Sequence, residues 1–185
     1  RQVNFKRVCA YSSVSQMGYI LLGLAACTPL GFVGAAMHVF SHSMFKSTLF
    51  ADAAAVHEQT GTFDIRKMGG LQKQMPSTAF TSVIAFLSAA GIPPLSGFWS
   101  KLTIVVALWT SGMQVAACFA LVLSILTGAY FLRLQREVFF GKPKAEMAGA
   151  HNVNGGIRVA EMMLTAFTVV GGLAYPFLLA LLGVA

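Results

Sequence analysis

His38, His42 and Lys46 recur at i, i+4 and i+8 within His38-Val-Phe-Ser-His42-Ser-Met-Phe-Lys46-Ser-Thr-Leu-Phe50, a segment otherwise apolar enough to lie in a bilayer. On an α-helix that spacing displaces each side chain from the last by only about 40°, giving one slanting stripe roughly 12 Å long. Ionisable groups at membrane depth are costly, and those that persist face a bundle interior or a wet path. The chemistry such a stripe offers is proton transfer. An imidazole has two distinct nitrogens and titrates near about pH 6.5, and taking a lysine out of water favours its neutral form. A second lysine, Lys101, follows a Pro-Pro interruption in another apolar stretch. With waters closing the gaps, Lys46, His38, His42 and Lys101 make a discontinuous proton wire. The alternatives are lysines that snorkel to headgroups and histidines that ligate a metal. No third His, Cys or carboxylate shares the histidine face, so no metal site is expected.

Composition calls for a membrane around these residues. Of 185 residues, 56% are hydrophobic and only 10% charged, and mean hydropathy is +0.71, whereas soluble domains carry roughly 25% charged residues. The net charge of +7 raises nucleic acid as a partner, but the basic residues lie in loops between apolar runs, where membrane orientation explains them. Nucleic-acid binding is therefore excluded, and the lipid bilayer is the expected surrounding. Cys9, Cys27 and Cys118 form no ligand spacing and read as small packing residues. No cofactor box, phosphate loop or nucleophile–base arrangement is present, so no cofactor is expected. The chain opens on Arg1 and enters an apolar run almost at once, which reads as a fragment of a longer protein.

The elements that must position these residues are apolar helices. Expected spans run over about residues 8–28, 30–55, 77–112, 113–134 and 159–183, forming one transmembrane domain over 1–185. Tyr11, Ser12, Ser13, Ser15, Gln16 and Tyr19 give the first span a polar face, either interhelical glue or a wet lining. Pro29-Leu-Gly31 is expected as a tight turn. Asp52 lies about 240° around the helix from Lys46, so it falls outside the stripe and is placed at the membrane interface, as is Glu161 at the entrance of the last span. That last span is expected to be softly interrupted at Gly171-Gly172 and Pro176.

The third span contains Gly91-Ile-Pro93-Pro94-Leu-Ser-Gly97, which cannot continue a helix because each proline lacks a donor and clashes with the preceding turn. One span broken at 91–97 competes with two short spans. A single broken span puts all thirteen Lys and Arg except Lys46 and Lys101 on one side, satisfying the positive-inside tendency; two spans violate it. The fold class is therefore an all-α integral membrane protein of five transmembrane helices, one broken at mid-membrane. Such breaks are tolerated where they are buried in protein or line a cavity, and in transporters they mark the ion path.

Several stretches resemble one known family. Lys6-Arg7-Val-Cys-Ala-Tyr11-Ser12-Ser13-Val-Ser15-Gln16-Met17-Gly18-Tyr19, His38-x3-His42-x2-Phe45-Lys46-x2-Leu49-Phe50, Met68-Gly69-Gly70-Leu71 with Met75-Pro76, and Gly91-Ile-Pro-Pro-Leu-Ser-Gly-Phe-Trp-Ser-Lys101 are similar, in order, to motifs of the antiporter-like subunits of respiratory complex I. Mrp-type sodium/proton antiporters and membrane-bound hydrogenases share that superfamily. The resemblance implies the second of two inverted five-helix repeats, with Lys46 the central-axis lysine, His38 and His42 its relay partners, and Lys101 the lysine of the broken helix. It implies a proton-translocating subunit of an NADH:quinone oxidoreductase-like complex in a bacterial inner membrane, with the basic loops cytoplasmic. An Mrp-type antiporter subunit and a hydrogenase or formate hydrogenlyase membrane subunit are its alternatives. The implied partners are other membrane subunits and, indirectly, the flavin and iron–sulfur subunits that carry electrons. Lys101 argues against the branch with glutamate there, and Asp52 stands where the family more often has a small apolar residue.

Overall fold

A 32-residue helix stands at the centre of the protein and packs against four others. In a computed structural model, residues 2–147, 149–153, 155–181 and 183 are described. They form α1 (Phe5–Ala25), α2 (Pro29–Thr60), α3 (Pro76–Ala90), α4 (Ser96–Thr110), α5 (Gln114–Val138) and α6 (Gly155–Leu181), with short 3-10 turns at Ile65–Lys67 and Ala145–Met147. α2 contacts α1, α3, α4 and α6, while α5 closes over α3 and α4.

Local chemistry fixes the ends. Asn4 caps α1 by accepting from the Arg7 N–H at 3.0 Å, and Thr28 caps α2 by accepting from the Gly31 N–H at 3.0 Å. Pro29 therefore opens α2 at a position where its missing N–H costs nothing. The expected turn at 29–31 is instead the first turn of α2, and the reversal lies at residues 26–28. α2 also runs past the expected end at residue 55 to Thr60, where Gly61 takes a left-handed φ of 68°.

Residues 91–95 separate two 15-residue helices. Gly91, at φ 84°, ends α3, and Pro93 and Pro94 occupy the gap. Gly97, expected in the interruption, lies in the first turn of α4. Its place there follows from packing: a Cβ at Gly97 would collide with the carbonyl oxygen of Ser88, so only glycine lets α4 approach α3 this closely. α6 runs unbroken through Gly171, Gly172 and Pro176. Gly172 is a contact surface rather than an interruption, since a Cβ there would meet the 94–96 backbone.

The bundle is polar inside and apolar outside. Gln16, His38, Lys46, Asp52, Thr81 and Lys101 are all buried, whereas Val115, Phe119 and Ile125 on α5 and Phe177 on α6 are exposed. A lipid-facing bundle needs this arrangement, because hydrocarbon solvates apolar side chains and leaves polar ones to pair internally. α1, α5 and α6 are long and apolar enough to cross a membrane. α2 has the length, but its buried ionisable residues interrupt its apolar face.

Candidate functional site

Lys46 sits mid-helix on α2 and points at α1. Its Nζ donates to the carbonyl oxygen of Cys9 at 2.7 Å and to Ser12 Oγ. The Ser12 hydroxyl in turn donates to the same Cys9 carbonyl at 2.7 Å, so ammonium, hydroxyl and carbonyl close a small ring. The face of Phe131 on α5 lies 5.8 Å from Nζ. Ser12 also lines a cavity of about 280 Å³, with Val8, Tyr11, Tyr130 and Arg133 among its walls, which gives the Lys46 site a roomy neighbour on one side.

Lys101 is held differently. Its Nζ donates to the carbonyl oxygen of Ala89 at 2.7 Å. That carbonyl belongs to the last turn of α3, where backbone oxygens lack intrahelical partners and the helix dipole is negative. The interruption at 91–95 thus exposes the acceptor that Lys101 satisfies. The ring of Tyr19 covers the ammonium at 4.6 Å, a cation–π contact, and the Tyr19 hydroxyl is fixed by the Ala120 carbonyl at 2.5 Å and by Ser124 Oγ at 2.9 Å.

His38 is fully buried. Its Nε2 faces Gln16 Oε1 at 3.1 Å and its Nδ1 faces Ser100 Oγ at 2.9 Å. With a carbonyl oxygen opposite Nε2, that nitrogen carries the hydrogen of the neutral ring, and Nδ1 accepts from Ser100. Ser100 has a second acceptor, the Gly97 carbonyl oxygen at 3.2 Å. A proton added at Nδ1 therefore turns the Ser100 hydroxyl from His38 to Gly97, and its loss reverses the turn. His38 also stacks at a tilt against Tyr19, with ring centroids 5.7 Å apart, so it adjoins the group that covers Lys101.

The structure brings Lys46, His38 and Lys101 into one buried interior, with His42 next to His38 on the shared Phe45 ring. His42 is half-buried, its Nε2 has no hydrogen-bond partner, and its ring meets Phe45 edge-on at 5.4 Å. Gly91, Pro93 and Pro94 serve the site by ending α3 where Lys101 reaches it, and Gly97 by bringing α4 onto Ser88. Among the described residues no ion pair reaches either lysine; the two present, Arg66–Asp64 and Arg133–Glu137, involve neither. Nor do three His, Cys, Asp or Glu side chains gather as metal ligands among those residues.

Two acids are more enclosed than a place in interfacial water implies. Asp52 and Glu161, expected at the interface, are both 0% exposed. The angle from the histidine stripe suggested a peripheral Asp52, but α2 is packed on several sides, so its other faces are interior as well. The available signal was the one that revealed the lysines, an ionisable residue inside an apolar run. Gln16, Tyr19 and Ser100 acquire their contacts only when α1, α2 and α4 come together.

Residues 1–127 match the family described as NADH:quinone oxidoreductase/Mrp antiporter, TM. A Na(+)/H(+) antiporter subunit of Alkalihalophilus pseudofirmus is 36% identical over 173 residues, 94% of this chain and 35% of that protein. NADH-quinone oxidoreductase subunit N of Desulforudis audaxviator is 38% identical over 165 residues, 89% of this chain and 33% of that protein. A chain in the solved structure of the Mrp complex from Dietzia sp. DQ12-45-1b superposes with a TM-score of 0.89 at 25% identity, over 96% of this chain and 41% of its own length. The chain thus spans about a third of the length of the curated relatives it matches.

Proposed function

This chain belongs to the NADH:quinone oxidoreductase/Mrp antiporter family of membrane proteins, and on that premise we propose that it is a proton-translocating membrane subunit of an NADH:quinone oxidoreductase-like complex. Protons pass through Lys46, His38, His42 and Lys101, with waters bridging the gaps. The chain crosses the membrane five times, α3 and α4 together making one span broken at 91–95. At about 1.5 Å per residue each of these two 15-residue helices covers roughly 22 Å, short of the roughly 30 Å hydrocarbon core. The loops at 61–75 and 139–154 then share the cytoplasmic face of a bacterial inner membrane. Other membrane subunits surround the chain, and electron transfer belongs to flavin and iron–sulfur partners.

The observation that carries this reading is the His38 bridge. Two buried lysines that form no ion pair among the described residues share the interior with an imidazole whose nitrogens both meet hydrogen-bonding groups, Gln16 and Ser100. A proton arriving at His38 Nδ1 is accommodated by the Ser100 hydroxyl turning to the Gly97 carbonyl, so Ser100 keeps its own hydrogen throughout. Lys101, against the negative end of α3, has its charged form supported by a fixed dipole, and Lys46 draws on a hydroxyl and a carbonyl instead.

A second reading, a subunit of a sodium/proton antiporter, is favoured by the 36% identity to the Na(+)/H(+) antiporter subunit of Alkalihalophilus pseudofirmus. Replacing Lys46 with alanine in the parent assembly, reconstituted into vesicles, tests the relay common to both. Proton transfer is expected to fall at least about tenfold, a loss of about 1.4 kcal/mol or more in barrier terms, with the assembly intact. Unchanged transfer would remove Lys46 from the path and leave the chain a scaffold. Sodium-dependent exchange without any redox donor selects the second reading.

A further inference from the structure

The relay of lysines and histidines makes no use of the two fully buried acids among the described residues. Asp52 on α2 and Glu161 on α6 are both inaccessible, and they accept from threonines one turn apart on the same helix, Thr81 and Thr78 of α3, which sets the two carboxyl groups side by side. We propose that Asp52 and Glu161 form a carboxyl–carboxylate pair that holds one proton between them, a proton-binding site of its own on the loop side of Lys46.

The four carboxyl oxygens are unequally served. Asp52 Oδ1 accepts from the Thr81 hydroxyl at 2.9 Å. Both Glu161 oxygens share the Thr78 hydroxyl, at 3.4 and 3.2 Å. One oxygen is left over: Asp52 Oδ2 is buried and has no donor. A bare carboxylate oxygen facing a second carboxylate in a dry interior is costly on both counts, since the charges repel and an acceptor goes unsatisfied. A single proton on Oδ2 or on its Glu161 partner cures both, turning repulsion into a charge-assisted hydrogen bond. The pair then carries one negative charge rather than two.

The surroundings supply no other counter-charge. α3 faces the pair with Thr78, Thr81 and Ser82, hydroxyls that carry no charge; Ser82 Oγ accepts from Gln135 Nε2 of α5 at 2.7 Å, which occupies its oxygen and leaves its hydrogen free. α1 contributes the Cys9 thiol as its titratable neighbour. On α2, Lys46 lies six residues before Asp52, about 9 Å along the axis at roughly 1.5 Å per residue, and spends its ammonium on Cys9 and Ser12. Among the described residues no Lys, Arg or His forms an ion pair with either acid. A hard cation is a poorer occupant than a proton, because such ions gather about six oxygens and here a single carboxylate oxygen stands free. The position also suits a proton: α2 runs on from Asp52 to the 61–75 loop, and α6 enters Glu161 from the 139–154 loop.

Infrared difference spectroscopy on the parent membrane assembly tests this without any transport assay. Wild type minus the double variant Asp52→Asn/Glu161→Gln is expected to show one protonated-carboxyl stretch per chain at pH 7, shifted down in D2O. Asp52→Asn alone is expected to abolish the same band. The asparagine still accepts from Thr81 and its amide donates to an ionised Glu161, so this near-isosteric variant keeps the fold should the double variant fail to assemble. Lys46→Ala is expected to retain the band whatever it does to transfer, which separates this site from the relay. No protonated-carboxyl band in wild type would overturn the proposal, and so would a band erased when sodium replaces potassium, the mark of a cation site.

Discussion

Two buried lysines in one helical bundle are stabilised by different parts of the backbone. Lys46 projects from the middle of an intact helix and borrows its acceptors from a neighbour, the Cys9 carbonyl and the Ser12 hydroxyl of α1. Lys101 draws on an acceptor that exists only because a helix stops, the Ala89 carbonyl at the end of α3. The first arrangement depends on side-chain identity along α1, and the second on the geometry of an interruption. Their surroundings differ in the same sense. The hydroxyl partner of Lys46 borders a cavity of about 280 Å³, while the Tyr19 ring lies over Lys101. Space therefore adjoins the partner of one lysine, whereas the ammonium of the other is itself covered by an aromatic ring.

The interruption is the more fragile support, and Gly97→Ala attacks it directly. The added Cβ collides with the Ser88 carbonyl, a backbone atom that cannot swing aside. A loss of about 3 kcal/mol is expected, at the upper end of overpacking costs, read as a lowered thermal midpoint of the assembly followed by Trp99 and Trp109 fluorescence. Cys9 and Ser12 should hold Lys46 as before. A wild-type midpoint would mean that α3 and α4 do not approach as closely as described.

Ser12→Ala probes the other lysine. It removes one of the two oxygens on the Lys46 ammonium and leaves the Cys9 carbonyl. Hydrogen bonds to charged groups contribute about 1.5–3 kcal/mol, and the neighbouring cavity lets water make up part of the loss, so about 2 kcal/mol is expected. The two variants together show whether each lysine depends on its own support.

The sequence made the lysines and the interruption visible and the acid pair invisible. His38, Lys46 and Lys101 stood out because charge in an apolar run is rare and costly, a property that needs no partner to recognise. Gly91, Pro93 and Pro94 stood out because proline chemistry is local. Gly97 was drawn into the interruption by the same composition, although its role is a close approach of α4 to Ser88 that only the packed structure exhibits. The turn expected at Pro29 failed for a related reason, since proline ends helices and starts them, and the Thr28 cap decides between the two. His42 shared the period of its neighbours and the Phe45 ring with His38, but its Nε2 has no hydrogen-bond partner. Asp52 and Glu161 are 109 residues apart in the chain, and nothing local links them. Their meeting depends on α6 packing against α2 and α3.

An exposed charge calibrates the buried ones. Asp64 caps the short turn at Ile65–Lys67, and the Arg66 guanidinium bonded to it lowers its carboxyl from 3.8 to about 2. A depressed value in the folded protein means that the contribution is present above the unfolded value and is lost as pH falls from about 4 toward about 2. The pair lies in water, so Arg66→Ala is expected to shift the midpoint least of the three variants, within about 1 °C at pH 6, and less still below pH 4. Salt sharpens the contrast. In about 1 M salt the screening length falls to about 3 Å, which should erase the Arg66→Ala shift while leaving that of Ser12→Ala unchanged, because ions do not enter between Lys46 and its oxygens. A Ser12→Ala penalty that faded in parallel would place Lys46 in contact with bulk solvent instead of inside the bundle, and would widen its difference from Lys101 beneath the Tyr19 ring.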